Sequence, residues 1–558
     1  MKKNSIAKII IFIVLIVAIF QMFSMKEIYA FVENFDSNII DKSAKFEAVL
    51  KLSSSYTPNN SLSTNKLRKE NKEYFSKQNQ TYRSIGNFEG LDVYFSRYAP
   101  YAFIPFSDYH DYNSNKNKLN QICKQFFVET MTIEKFETKN EANVNNYNTN
   151  EKIDIEQVKQ MVGVSNSTYT GDNIRVGVID SGFPYDLNGI SDNIVVYKTS
   201  SNESNYHMSK VLQIICSIAP DVDLCFIQFD NSQNDINTEY TFGYCVDWLL
   251  DYDVNIINMS QGGKSVGIYT GQCAYIDYVV ANNNVLFVKS AGNQDTNKYI
   301  TSPGASLNVL TVGSVCPSYN VSSFSSYLMF SSYGTLINKP NLVAPGEYIM
   351  PIRYRTSNDD DGFDCGTSFA APIVTGIAAL LMEEFPDLKT QINKLITVLM
   401  ASSYKLPSQT SLFDEQCGSG IINYYNARQI LINDNIEYFT NSIDTTGEMV
   451  GDFIFSVDST PKQLTMMSMT SVYFDENNIS NNSNLNYQSA TSYTLKIYDT
   501  DYNYITSYGG FKNFMVRQLN LPSDTDYIGE LYMNTSRPTS SYEDKITIII
   551  DDYCEVSS

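Results

Sequence analysis

The sequence predicts an α/β fold: a doubly wound, mostly parallel sheet flanked by helices, with a polar region ahead of it and an antiparallel β-sandwich behind. Three observations predict this. β-Rich runs at 174–179, 222–228, 254–259, 285–290 and 309–315 are separated by apolar or amphipathic segments long enough for helices, such as 210–218 and 240–251. Strands that alternate with helices make a parallel sheet covered on both faces. After about Asn433 the pattern turns to strict alternation, as in Tyr493, Leu495 and Ile497, then Leu531 and Met533, then Ile546, Ile548 and Ile550. Turn clusters of Asn, Asp, Ser and Gly separate those runs, as in a small sandwich. Before Ile153 the chain is rich in Asn, Lys, Ser and Tyr, and the composition changes at that point. A chain of 558 residues has room for about three domains.

The first 30 residues place Lys2, Lys3 and Lys8 before an apolar run from Ile9 to Phe20 and close on Ala30. This is the pattern of a signal peptide cleaved after Ala30. The alternative is an uncleaved membrane anchor, since Met22, Phe23 and Met25 extend a run that is otherwise short of the about 20 residues a span needs. Either reading makes the protein secreted or extracellular, with membrane attachment under the second. Residues 31–150 carry a weakly helical stretch at 118–138 and a low-complexity patch, 140–152, that reads as an exposed linker. The main α/β domain is expected over 151–432 and the sandwich over 433–558. No repeat at a solenoid period is present.

Composition narrows the function. A formal charge of −21 argues against a nucleic-acid binder, whose affinity rests on Lys and Arg against phosphates. Only two histidines are present, His110 and His207, and no Cys-x-x-Cys pair stands at zinc spacing, so a His- or Cys-rich metal centre is not expected. The nine cysteines are scattered singly through apolar contexts, which reads as buried small hydrophobes rather than a disulfide framework. Asp359, Asp360 and Asp361 form either an oxygen-rich calcium loop or a solvated charge run, without the spacing of an EF-hand.

Four segments are loaded with chemistry. In VGVIDSG a buried strand ends at Asp180, where parallel sheets place their functional groups; the plain alternative is an Asp that forms a turn. His207 stands just before an apolar helical run, and alone it reads equally as an exposed or structural histidine. NMSQGG and KSAGN end two further strands with small residues: Ser260, Gly262 and Gly263 in one, Ser290 and Gly292 in the other. These leave room for another backbone, and Asn293 adds an amide donor. In GTSFAAP, Ser368 opens an apolar helix with Pro372 in its first turn, as a cap would, but the surrounding sequence is more specific than a cap requires.

Taken together, these segments resemble the subtilisin-like serine proteases, the subtilases or peptidase S8 family, over about 153–432. Asp180 in VGVIDSG matches the family's Asp motif, Ser368 in GTSFAAP its nucleophile motif and Asn293 in SAGN its oxyanion residue, in the family's chain order. His207 departs from the pattern: Met208 and Ser209 stand where the family has Gly and Thr. The resemblance implies an Asp180, His207, Ser368 triad working by acyl transfer on polypeptide substrates, with no cofactor needed for the chemistry. It also implies that Ser260, Gly262, Gly263, Ser290 and Gly292 line the substrate site, with a pocket floor near 301–304. Residues 31–150 would be a propeptide that inhibits the enzyme until cut in the 139–152 linker, and structural calcium would be in keeping with the family. The competing expectations are an impaired subtilase-fold binding protein, motivated by Met208, and a dedicated processing protease for one exported peptide.

Overall fold

The computed structural model describes residues 45–136 and 153–552, apart from internal residues that include 230–238, 263–266, 295–297, 328–337, 351–364, 475–486 and 535–543. The apolar N-terminal run, the 140–152 patch, Gly263, Asp359, Asp360, Asp361 and Cys554 lie outside the described residues. No described helix is long and apolar enough to cross a membrane.

The first unit is a four-stranded antiparallel sheet. It consists of β1 (Lys45–Leu52), α1 (Thr64–Ile85), β2 (Tyr94–Phe95), β3 (Tyr101–Phe106), α2 (Tyr109–Gln125) and β4 (Val128–Phe136), in strand order β2-β3-β1-β4. The weak helical signal over 118–138 therefore resolves into two elements: the helix ends at Gln125 and a strand takes over at Val128. Asp108 starts α2 by accepting the Asp111 N–H at 2.7 Å, and exposed His110 lies in its first turn. Phe46, Ala48, Leu50, Ile104, Phe106, Leu119, Ile122, Met131 and Ile133 make a core separate from that of the rest of the chain.

The second unit contains α3 (Ile155–Met161), β5 (Arg175–Asp180), β6 (Ile194–Lys198), α4 (Tyr206–Ile218), β7 (Asp223–Gln228), α5 (Phe242–Asp251) and β8 (Ile256–Met259). It continues with α6 (Gly271–Asn283), β9 (Leu286–Ser290), β10 (Leu310–Val315), β11 (Leu342–Pro345), α7 (Thr367–Glu384), α8 (Ile392–Ala401) and α9 (Tyr424–Asn433). The seven strands are all parallel, in the order β11-β10-β9-β8-β5-β7-β6. β8, β9, β10 and β11 are buried at every residue, as expected of strands with both faces covered. The chain runs from β5 to the β6 edge and back, then outward through β8 to β11. The order reverses between β5 and β8, and ligand sites in such sheets lie beyond the strand ends at that switch.

α4 and α7 pack on each other, and α7 crosses β8, β9, β10 and β11. Residues 367–382 of α7 are buried all round, so its sequence shows no polar stripe. α5 and α6 carry the contacts with the first unit. Pro372 sits inside α7 as its sixth residue rather than in the first turn. Its missing N–H therefore leaves the Ser368 carbonyl without the usual bond from four residues on.

The third unit holds β12 (Ile436–Asn441), β13 (Met449–Val457), β14 (Lys462–Met469), β15 (Tyr493–Asp499), β16 (Tyr504–Phe511), β17 (Phe514–Leu519), β18 (Thr525–Met533) and β19 (Asp544–Asp551). They form two antiparallel four-stranded sheets, β12-β19-β14-β17 and β13-β18-β15-β16. Leu495, Ile497, Leu531, Met533, Ile546 and Ile548 face one another in its core, as their alternation requires.

The eight described cysteines are free thiols, seven of them buried. Burial pushes the Cys123, Cys216 and Cys225 thiols up to about 12, so they stay protonated and unreactive.

Candidate active site

Asp180 is the last residue of β5 and is fully buried. The strand register holds it beside Gln228, and its carbonyl accepts the Phe229 N–H at 2.7 Å. Its side chain turns out of the sheet, where Oδ1 accepts the Ser181 N–H at 2.7 Å.

Opposite it, His207 is the second residue of α4, with Nδ1 3.0 Å from both Oδ1 and Oδ2 of Asp180. That double approach fixes the ring plane and selects the tautomer with hydrogen on Nδ1, so Nε2 carries the lone pair. His207 is 4% exposed, so the pair lies in a medium where a charge on the ring would be strongly felt. Met208, the departure from the family pattern, is fully buried in the main core.

Ser368 is the second residue of α7 and is likewise fully buried. Its neighbour Phe369 has its ring 5.5 Å from the His207 ring, so the packing of α7 on α4 brings serine and histidine to one place. Ser368 Oγ makes no hydrogen bond among the described residues, so the serine–histidine bond is not closed in this structure. The Ser368 N–H is one of the first-turn donors that no helical carbonyl can serve. It points with the positive end of the helix dipole.

Asn293 follows the end of β9, and Thr367 sets its amide. Oδ1 accepts both the Thr367 N–H and its hydroxyl, each at 2.9 Å, which directs the amide nitrogen the other way. In return Thr367 Oγ1 accepts the Gly292 N–H at 3.1 Å. Ser260 follows β8 under the same helix: its hydroxyl accepts from Asn258 Nδ2 at 2.9 Å, and Asn258 Oδ1 accepts from Thr375 of α7 at 3.0 Å.

The structure thus gathers Asp180, His207, Ser368, Asn293, Ser260, Gly262, Ser290 and Gly292 around the sheet's switch point. Thr367, Asn258 and Thr375 were not singled out from sequence. Asn258 alone left a trace there, as a polar residue inside the apolar run VNIINM. No group of three or more His, Cys, Asp or Glu is arranged to hold a metal among the described residues.

Fold and site together define the class of the subtilisin-like serine proteases. Residues 171–420 match the model of the subtilase family. It is 28% identical over 284 residues to subtilisin DY of Bacillus licheniformis, an alignment covering 47% of this chain and 93% of that one. It is 28% identical over 264 residues to the serine protease AprX of Bacillus subtilis, covering 40% of this chain. There the aligned part spans only 59% of the relative's length. Among solved structures, fervidolysin from Fervidobacterium pennivorans, described as a keratinolytic enzyme related to subtilisin, aligns over 93% of this chain and 94% of its own. That alignment has 14% identity and a TM-score of 0.47.

Proposed function

We propose that this chain is a serine endopeptidase that cleaves peptide bonds through an acyl-enzyme. His207 Nε2 takes the Ser368 hydroxyl proton as Oγ bonds to the peptide carbonyl carbon, then gives that proton to the departing amine as the C–N bond breaks. Water attacks the ester by the reverse route and frees Ser368. Asp180 keeps the proton on Nδ1 and stabilises the imidazolium that forms. The Asn293 amide nitrogen and the Ser368 N–H donate to the developing oxyanion, each worth about 3 kcal/mol in comparable sites.

The observation that carries this reading is the two-oxygen contact of Asp180 with His207 at 3.0 Å, one helix away from a buried serine at a helix N-terminus. An open serine–histidine contact is common in a free enzyme and closes when substrate binds. The test is Ser368→Ala in the full chain: cleavage of casein-like substrates should fall by at least about 1000-fold. Wild-type turnover by that variant would sink the proposal. A serine-directed phosphonate should label Ser368, whereas a non-catalytic binding protein would stay unlabelled.

The chain is made, in this reading, as a self-processed zymogen exported through residues 1–30, with the first unit as intramolecular inhibitor. Its separate core and its docking on α5 and α6 support that role. Mass spectrometry of the purified protein should find a new N-terminus within 139–152, and none there in Ser368→Ala.

A further inference from the structure

Two strand ends are tied to the helix that carries Ser368: 260–262 after β8, through Asn258 and Thr375, and 290–292 at the end of β9. Gly292 is tied to the serine's helix through Thr367. The slot between these two segments is occupied by the side chain of Thr301. A Cβ on Gly262 would lie 2.6 Å from Thr301 Oγ1, and a Cβ on Gly292 would lie 2.6 Å from Thr301 Cγ2. One residue therefore touches both walls, and no methyl group fits beside either.

Thr301 is not free to swing away. Its N–H donates to the Ala291 carbonyl at 2.9 Å, and its hydroxyl lies 3.3 Å from that same oxygen and accepts from Lys289 Nζ at 3.2 Å. Lys289, fully buried, is itself anchored on the Ser290 carbonyl at 2.7 Å and the Ser290 hydroxyl at 2.9 Å. The Gly304 N–H closes the turn on the Thr301 carbonyl at 2.7 Å. With a β-branched side chain of few rotamers, this floor is rigid.

We propose that Thr301, backed by Lys289, sets the size limit for the substrate residue whose carbonyl Ser368 attacks: Gly, Ala or Ser is accepted there, while Leu, Phe and longer side chains are refused. The assignment rests on the endopeptidase reading and adds to it a class of cleavage site. Apolar pockets discriminate by on the order of 10- to 200-fold for each methylene gained or lost, so a filled slot is a strong filter.

The experiment uses the full chain and three peptidyl phosphonate probes that differ only in the residue bearing phosphorus: glycine, alanine or phenylalanine. The rate of labelling at Ser368 is read by peptide mass. In the wild type the alanine probe should react at least about 10-fold faster than the phenylalanine probe. Thr301→Gly should shift that ratio toward phenylalanine by about 10-fold or more. Thr301→Ser keeps the contacts to Lys289 and Ala291 while removing the methyl group against Gly292, and should shift the ratio the same way by less. It and the wild-type ranking decide the matter if Thr301→Gly does not fold. Phenylalanine reacting as fast as alanine in the wild type, or a ratio unmoved in the variants, would overturn the pocket assignment and leave the endopeptidase intact. No labelling by any probe would overturn the endopeptidase reading, and this inference with it.

Discussion

The first and third units are both held to the middle of the chain, by different chemistry. The third continues an apolar core: Met467, Met469, Val516 and Ile549 pack into the same cluster as the residues of α8. Two neutral hydrogen bonds support it, Gln463 Nε2 to the Ala401 carbonyl at 3.1 Å and Asn393 Nδ2 to Thr547 Oγ1 at 2.9 Å, and the buried Lys545 ammonium donates to the Ala281 carbonyl at 3.4 Å. The first unit adds buried ionisable groups to its apolar contacts. Glu47 and Glu134 are direct cross-strand partners on β1 and β4, and they face the starts of two helices. Glu47 accepts the Phe242 N–H of α5 at 3.1 Å, and Glu134 accepts the Gln272 N–H of α6 at 2.7 Å. Like charges opposite each other are unfavourable, and helix N-termini offset that repulsion.

At the other end of α6, Arg68 donates to the carbonyls of Asn283 at 2.8 Å, Val254 at 2.8 Å and Asn284 at 3.0 Å. The unit thus clamps one helix by an acid at its positive end and a base at its negative end. Gly243 and Gly271 let it sit flush, since a Cβ on either would lie 2.1 Å from Phe103 or Thr132 respectively. Apolar packing is insensitive to pH, whereas buried carboxyls answer to it. The third unit is joined mainly by apolar packing, and the first by apolar packing together with buried carboxyls and an arginine.

The largest expected effect breaks the apolar side. Ile549→Asp puts an unpaired charge at a fully buried position and should cost about 4 kcal/mol or more, lowering the melting temperature of the middle and third units together. Two separate thermal transitions, with the middle unit's unchanged, would contradict a shared core. Next is Arg68→Ala, which leaves three carbonyls without their donor. It should weaken docking of the first unit by about 3 kcal/mol, read as faster limited proteolysis of residues 45–136 while the rest resists.

The comparison sharpens with pH. Burial, the larger cause, holds Glu134 up at about 7, and burial followed by the charge of Glu134 raises Glu47 well above its ordinary 4.5. Docked, these carboxyls keep protons that the separated unit releases near 4.5, so docking takes up protons. The attachment is strongest below about 4.5 and weakens as pH rises to about 7, by up to about 3 kcal/mol for Glu134. Glu134→Gln should flatten that dependence, and retention of the first unit that rose with pH would refute the sign. The smallest effect belongs to Gln463→Ala, which removes one neutral hydrogen bond and should cost about 1 kcal/mol without pH dependence, measured by denaturant unfolding.

The middle sheet is legible in sequence because its strands are buried on both faces and read as unbroken apolar runs. β4 is not. Met131 and Ile133 point into the first unit's own core, while Thr132 and Glu134 point into the seam with α6. Polar letters there stand for a buried face, which looks in sequence like solvent. The helix boundary was hidden for a related reason: no Gly or Pro punctuates the step from Gln125 to Val128.

Asp180, Ser368 and Asn293 could be proposed from sequence because each sits in a tight motif, whereas His207, whose motif departs from the pattern, is reached by its place before an apolar helix and by chain order. Thr367 could not be given its role, and Thr301 only a place in the pocket floor that the resemblance implies at 301–304, because positioning an amide and filling a slot are relations between segments far apart in the chain. Lys289, not singled out from sequence, is a charge inside the run NVLFVKS. Only its contacts, to Ser290 and Thr301, tell what it supports.

The two histidines are divided between the units, His110 exposed on α2 and His207 locked against Asp180. A proton NMR spectrum of the whole chain therefore holds two imidazole signatures, one from a ring exposed to solvent and one carrying a deshielded ring N–H from the contact with a carboxylate. If the first unit departs, the solvent signature goes with it and the other stays. Two resonances then report, in one sample and without a label, whether the unit has left and whether the site it left behind is still formed.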